Sequence, residues 1–221
     1  MLRSEAITII KRGLGFRNTQ DTSIIAALKE AQRDLELGRT LPSWLVEFDT
    51  PIAVTANDNV IALPTGFIRF HDEYDLYYIN SDNANVFIPR RNYTEAYQAF
   101  VASGEPNDAA VIDQTSSFPS VVVQLNKAEA ILIPTPTTSF TAYLTYYKAA
   151  AVLDSETENA WLLHAPNVLV GMAGMIVAGN VRDKDALSEF TRRASMGQKS
   201  LMGDIVEDEL AGRGLIMGRN N

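Results

Sequence analysis

The segment from Tyr143 to Asn167 constrains the fold more than any other part of the chain. It begins as an alternating strand, Tyr143-Leu144-Thr145-Tyr146-Tyr147-Lys148, and passes through the polar run Asp154-Ser155-Glu156-Thr157-Glu158-Asn159. It then starts two helices in succession, at Trp161-Leu162-Leu163 and at Ala165-Pro166-Asn167. Proline is well suited to a first helical turn, because its missing N–H has no partner there. A chain that switches from period two to helical spacing in this way has strands before the switch and helices after it. None of these steps sets out a nucleophile, a metal cage or a phosphate loop.

The remaining sequence divides along the same line. Residues 4–12 form an amphipathic helix with Ile7, Ile10 and Leu14 on one side, broken by Gly13 and Gly15. A second helix, capped by Asn18 or Thr19, repeats Ile24, Ile25, Leu28, Ala31 and Leu35 at helical spacing. Lys29-Glu30 and Gln32-Arg33-Asp34 mark its wet face, and Gly38 lies just past its end. From Trp44 to Lys148 the pattern is mostly strands. Asn57-Asp58-Asn59 reads as a hairpin turn, the run 80–85 as another polar turn, and Pro134 and Pro136 punctuate a last hairpin. One helix interrupts them at 93–103, with Tyr93, Ala96, Tyr97 and Phe100 on its apolar face; a strand is expected at 110–113.

After Asp154 the chain is helical again: 157–164, then a helix begun by Pro166, then a last one capped by Asp183 or Asp185 and carrying Leu187, Phe190, Ala194 and Leu201. In the Pro166 helix, Val168, Met172, Met175, Ile176 and Gly179 share a face, while Gly171, Gly174 and Ala178 make it thin. Each interior glycine costs about 0.5–1 kcal/mol relative to alanine, so close backbone packing against a neighbour is the expected compensation. The fold class expected is α+β: a helical bundle formed by both chain ends with an inserted antiparallel β-rich region. The expected divisions are 1–40 and 151–203 for the helical part, 41–150 for the insertion and 204–221 for a flexible C-terminal arm.

Composition excludes several kinds of chemistry. There is no cysteine among the 221 residues, which removes disulfides, thiol catalysis and cysteine-ligated metals. The two histidines, His71 and His164, are far apart and outside any ligand-spaced cluster. A net charge of −8 is the wrong sign for gripping phosphates. The opening Met1-Leu2-Arg3-Ser4-Glu5-Ala6 lacks the apolar core of a signal peptide. The longest uncharged stretch, from Ala165 to Val181, contains Pro166 and several glycines and does not read as a membrane span. The expectation is a cytoplasmically made protein with no membrane partner.

Each chemical candidate has a plainer structural reading. His71-Asp72-Glu73 with Asp75 resembles an acid–base cluster but reads first as a solvated face. Gly13-Leu14-Gly15-Phe16 is too short for a dinucleotide loop and follows a helix rather than a strand. Asn92-Tyr93-Thr94 matches a glycosylation sequon and reads better as the cap of the helix that follows. Tyr77, Tyr78, Tyr143, Tyr146 and Tyr147 form a possible base-stacking platform, but without interleaved basic residues cross-strand core packing is preferred. No catalytic, cofactor-binding or metal-binding residue is nominated.

The order of helices, β-rich insertion and helices resembles that of phage head-to-tail adaptor proteins. So do the step Leu63-Pro64-Thr65-Gly66-Phe67-Ile68-Arg69-Phe70, the proline-ended strand from Ala130 to Pro136, and the paired tyrosines Tyr146 and Tyr147. Leu153, Asn159, Trp161-Leu162-Leu163, Ala165-Pro166-Asn167 and the small-residue helix 168–179 complete the likeness, with Ala160 separating the asparagine from the tryptophan. The resemblance implies a non-enzymatic virion neck protein, assembled in the host cytoplasm. Such proteins form rings of about twelve subunits by heterologous contacts and connect the portal protein to a tail or nozzle protein, while DNA passes through without sequence-specific binding. On that reading Gly171, Gly174 and Ala178 serve subunit packing, and Leu210, Arg213, Leu215, Ile216 and Met217 belong to an arm that binds the portal. The alternatives are another neck or tail-completion protein, or a non-viral ligand-binding β domain with helical flanks.

Overall fold

A computed structural model of the chain describes residues 1–16, 20–96, 115–154 and 158–217, with the backbone alone at 115 and from 208 to 217. The fold is α+β, and the chain divides into two compact units. One comprises Met1–Leu45 and Ala150–Asn221, the other Val46–Ala149. The expected strand at 110–113, Tyr97 and Phe100, and the caps Asn18 and Thr19 lie outside the described residues.

The first unit is helical: α1 (Arg3–Gly13), α2 (Asp21–Glu36), a 3₁₀ turn at Ser43–Leu45, α3 (Ala160–His164), α4 (Pro166–Asn180) and α5 (Lys184–Met217). Helix α4 packs against α5, α2, α1 and α3. A helix surrounded in this way must be apolar all round, and Val168, Leu169, Val170, Ala173, Val177 and Ala178 are all buried. The face expected from the sequence is corrected here. Met172, Met175 and Ile176 are only half-buried and Gly179 is exposed, while Gly171 and Gly174 are buried.

Close approach is the reason. A Cβ added at Gly171 would lie 2.6 Å from the Ala194 nitrogen, and one at Gly197 would lie 2.8 Å from the Val168 nitrogen. Phe190, 2% exposed, is seated between glycines of two helices: a Cβ at Gly13 would reach its ring at 2.5 Å, and one at Gly174 would overlap it. Small residues thus form the contact surface, and one large ring lies between the glycines of two helices.

Polar side chains join α2 to the segment that returns from the strands. Asn159 caps α3 by accepting the Leu162 N–H (3.2 Å) and donates through Nδ2 to Gln32 Oε1 (3.0 Å). Gln32 donates in turn to Glu36 Oε1 (2.8 Å) and to the Ala150 carbonyl (3.1 Å). Glu36 also accepts from the Ala150 N–H and from Trp161 Nε1. Gln32 therefore does not lie on a wet face; it is 7% exposed, and Asn159 is 2% exposed. Buried amides of this kind persist only when their hydrogen-bonding capacity is met, and here it is.

Among the described residues the second unit holds ten strands: β1 (Val46–Val54), β2 (Val60–Ala62), β3 (Phe67–Phe70), β4 (Leu76–Ile79), β5 (Asn85–Ile88), β6 (Thr115–Ser116), β7 (Val121–Gln124), β8 (Glu129–Ile133), β9 (Thr135–Pro136) and β10 (Phe140–Lys148). The main antiparallel sheet runs β1-β10-β4-β5, with β3 also on β10; a second runs β2-β8-β7, and β6 pairs with β9. The polar turn at 80–85 joins β4 to β5, which pair with each other, and Asn80 Oδ1 accepts the N–H groups of Asp82 and Ala84. The two predicted hairpins do not form. Asn57, at φ +63°, turns the chain from β1 in the first sheet to β2 in the second, and the proline-marked segment likewise leads from β8 to β10 in different sheets. Turn residues give the bend but not the partner. Residues from both sheets, including Ile52, Phe67, Leu76, Tyr78, Ile88, Leu132, Leu144 and Tyr146, make one core.

Candidate functional site

Strand β10 decides which aromatic rings are buried. Side chains alternate across a strand, so Leu144 and Tyr146 enter the core while Tyr143 and Tyr147 take the opposite face and remain partly exposed. On β4, Tyr78 is buried and Tyr77 shares the outer face with Ile79. The register places Tyr143 opposite Tyr77, and Tyr77 opposite Phe87. Their rings form a row across three strands, Tyr143 stacked on Tyr77 at 5.3 Å and Tyr77 against Phe87 at 5.7 Å. Phe87 is 51% exposed and Ile79 48%.

The edge of this row is acidic. The bulge between Glu47 and Thr50 contains Asp49 at φ +51°, and its carboxylate accepts a hydrogen bond from the Tyr77 hydroxyl at 2.9 Å. Partial burial, that hydrogen bond and the charge on Asp49 all raise the Tyr77 pKa above the ordinary tyrosine value. Farther along β10, the Arg69 guanidinium lies 5.3 Å from the Tyr147 ring centre and His71 is 5.2 Å from the same ring. The tyrosines therefore do two jobs. Tyr78 and Tyr146 belong to the core, as cross-strand packing requires, but Tyr77, Tyr143 and Tyr147 form a separate outer surface. Strict alternation was the signal: adjacent tyrosines at 77–78 and 146–147 cannot face the same way.

The acidic group at 71–75 does not converge into a reaction centre. Asp75, 7% exposed, accepts the Asp72 N–H and faces His71 across 3.7 Å, while Glu73 bonds Arg91 instead. The facing Asp75 carboxylate raises the His71 pKa; burial opposes this, and the charges of Asp75 and Asp72 add to it. Among the described residues, no group of three or more His, Asp or Glu side chains is arranged to hold a metal ion. Asn92 Oδ1 accepts the Glu95 N–H at 2.8 Å, the capping role read from the sequence. A recess of about 530 Å³ lies beside it, lined by Arg90, Arg91, Tyr93 and Val123 to Leu125. A smaller one of about 70 Å³ sits at the start of α4, where His164 stacks on Trp44.

In the helical unit, Gly171, Gly174 and Ala178 are buried against the chain's own helices, the two glycines against α5. Asp183 caps α5 by accepting the Ala186 N–H. That helix runs 34 residues, through Gly203 and on to Met217, so Leu210, Arg213, Leu215, Ile216 and Met217 lie on helical backbone. An end near Gly203 was expected from its glycines, but a helix absorbs isolated glycines at modest cost. No helix among the described residues is long and apolar enough to cross a membrane.

Comparison with curated proteins found no match. The family model for the SU10 adaptor protein matches residues 2–215, nearly the whole chain and both structural units. Adaptors of this kind are structural components of the phage head-to-tail connection rather than an enzyme class. The chain belongs to the SU10 adaptor protein family.

Proposed function

We propose that the chain is a virion neck subunit, assembled in the host cytoplasm, that closes into a ring between the portal and the tail and leaves a passage for DNA. The family match over residues 2–215 carries this reading. In it, both chain ends build the helical bundle that forms the ring, and the β-rich insertion meets the tail or nozzle protein. The portal is bound by the end of α5 through Leu210, Arg213, Leu215, Ile216 and Met217. Gly171, Gly174 and Ala178 serve subunit packing by setting the spacing of the helices whose outer faces meet the next copy. The subunit works by binding alone, with no catalysis and no cofactor. A heterologous contact that closes by rotation requires only two different faces on each copy.

The experiment is electron microscopy of the purified chain alone and mixed with the portal protein of the same phage. Rings on the portal, present with the full chain and lost when residues 204–221 are deleted, are expected. A full-length chain that stays monomeric and leaves the portal bare would overturn the proposal.

A further inference from the structure

We propose that the outer face of the main sheet, centred on Tyr143, Tyr77 and Phe87, docks a basic protein surface that lays arginine or lysine side chains over these rings. The inference rests on the adaptor reading and names the chemistry of one partner. Two independent observations meet at this face. The first is the cross-strand aromatic row itself, extended by Ile79, with Phe87 and Ile79 about half exposed. Exposed aromatic rings fixed by their neighbours lose little entropy on binding, and tyrosine is among the side chains that dominate interface energetics.

The second observation is charge. The β-rich unit, Val46–Ala149, carries 12 acidic and 5 basic residues, a net of −7, while the helical unit carries 15 and 14, a net of −1. Nearly all of the protein's negative charge therefore sits on the unit that displays the rings. Asp49 touches the row directly through Tyr77, and Asp82 is exposed in the turn joining β4 to β5. A second copy presenting the same face would bring two such units together, and nucleic acid would be repelled. A cationic protein surface is attracted, and cations favour the negative faces of aromatic rings. The fold already contains one such contact, Arg69 over Tyr147.

The test uses the full chain and the purified tail-side neck protein of the same phage, with affinity measured by calorimetry at about 50 and 500 mM salt, where screening differs several-fold in range. The pair Phe87→Ser and Tyr143→Ser is expected to weaken binding about 30-fold or more, the scale of an interface hot spot. Asp82→Asn, which leaves every ring in place, should weaken it a few-fold and flatten the salt dependence. Circular dichroism checks that each variant is folded. Variant affinity within about threefold of wild type, or binding that strengthens with salt, would overturn the proposal while leaving the adaptor reading standing, provided the wild type still assembles on the portal. If the ring variants lose self-association and keep the tail-side protein, the occupant is a second copy and the basic-partner assignment fails. A wild-type chain that binds neither portal nor tail-side protein overturns both readings.

Discussion

The two units use opposite means to the same end. The helical unit contains 11 of the 13 glycines and all six methionines; the β-rich unit contains all eight tyrosines. In the first, contacts form where side chains are absent: Gly171 lets α4 approach the backbone of α5, and Phe190 fits between Gly13 and Gly174. In the second, contacts form through rings, with Phe67 stacked on Tyr146 and Tyr78 on Phe118 inside, and Tyr77 on Tyr143 outside. Packing by absence leaves no tolerance for added atoms. Packing by rings on a pleated surface leaves one face free for other uses. The lesson is that sensitivity to mutation should track the mode of packing rather than burial alone.

The sharpest challenge to that comparison is to add volume where the helices touch. Gly171→Val would place its Cβ within 3 Å of the Ala194 backbone, and backbone cannot swing aside as a long side chain can. A loss of about 3 kcal/mol or more is expected, at or beyond the upper end for overpacked cores. Gly179→Ala, on the same helix with open space around its Cβ, should be neutral or stabilising by about 0.5–1 kcal/mol. Urea denaturation of both variants decides the matter. Equal effects at the two positions would show that helix propensity, not close approach, governs this unit.

The polar junction comes next. Asn159→Ala removes the cap of α3 and leaves Gln32 Oε1 without the donor it has in the wild type. Loss of the cap and an unsatisfied buried amide together should cost about 2–3 kcal/mol. Hydrogen exchange should show faster opening of the 159–164 turn. A variant within about 0.5 kcal/mol of wild type would mean that apolar packing of Trp161 and Leu162 holds this junction without the network.

The parts of this architecture that are local were legible in the sequence. Asp183 and Asn92 were readable as caps because a cap is decided within four residues. The run 80–85 was readable as a turn from its polar residues, and the strands on either side of it pair with each other. Partner choice was not legible. Asn57-Asp58-Asn59 carries the same turn chemistry, yet β1 pairs with β10 almost ninety positions later, since burial of Ile52 and Val54 is decided by the whole core. The face of α4 differs for a related reason: hydrophobic periodicity ranks Met172 above Gly171, whereas four neighbouring helices select the smallest side. The outer aromatic row was available in principle from alternation at 77–78 and 146–147. Alternation sets Tyr143 and Tyr147 on the face opposite Tyr146, but the register that brings Tyr77 and Phe87 beside Tyr143 is a matter of partner choice.

On the β-rich unit, single changes at the outer surface should have small effects on folding. Tyr77→Phe removes the hydrogen bond to Asp49 but keeps the stacked ring, so stability should change by under about 1 kcal/mol. A larger loss in chemical denaturation would indicate that the outer row supports the sheet as strongly as the core does, and the contrast with the helical unit would weaken.

The smallest effect, and the most specific, concerns His71. Its pKa is raised above 6.5 because the nearly buried Asp75 carboxylate faces it. A group whose folded pKa exceeds its unfolded value stabilises the fold fully below the unfolded value, and that contribution disappears as pH rises through the folded one. The β-rich unit should therefore lose a little stability from about pH 6.5 upward. The imidazole is substantially exposed, so solvent keeps the effect small. Proton NMR can follow the two imidazoles separately: the His71 midpoint should lie above 6.5 and fall in Asp75→Asn, which keeps an oxygen for the Asp72 N–H but removes the charge. A midpoint unmoved by that substitution would assign the shift to Asp72 or to the wider acidity of this unit. In that case the charge that distinguishes the two units acts through its sum rather than through one placed carboxylate.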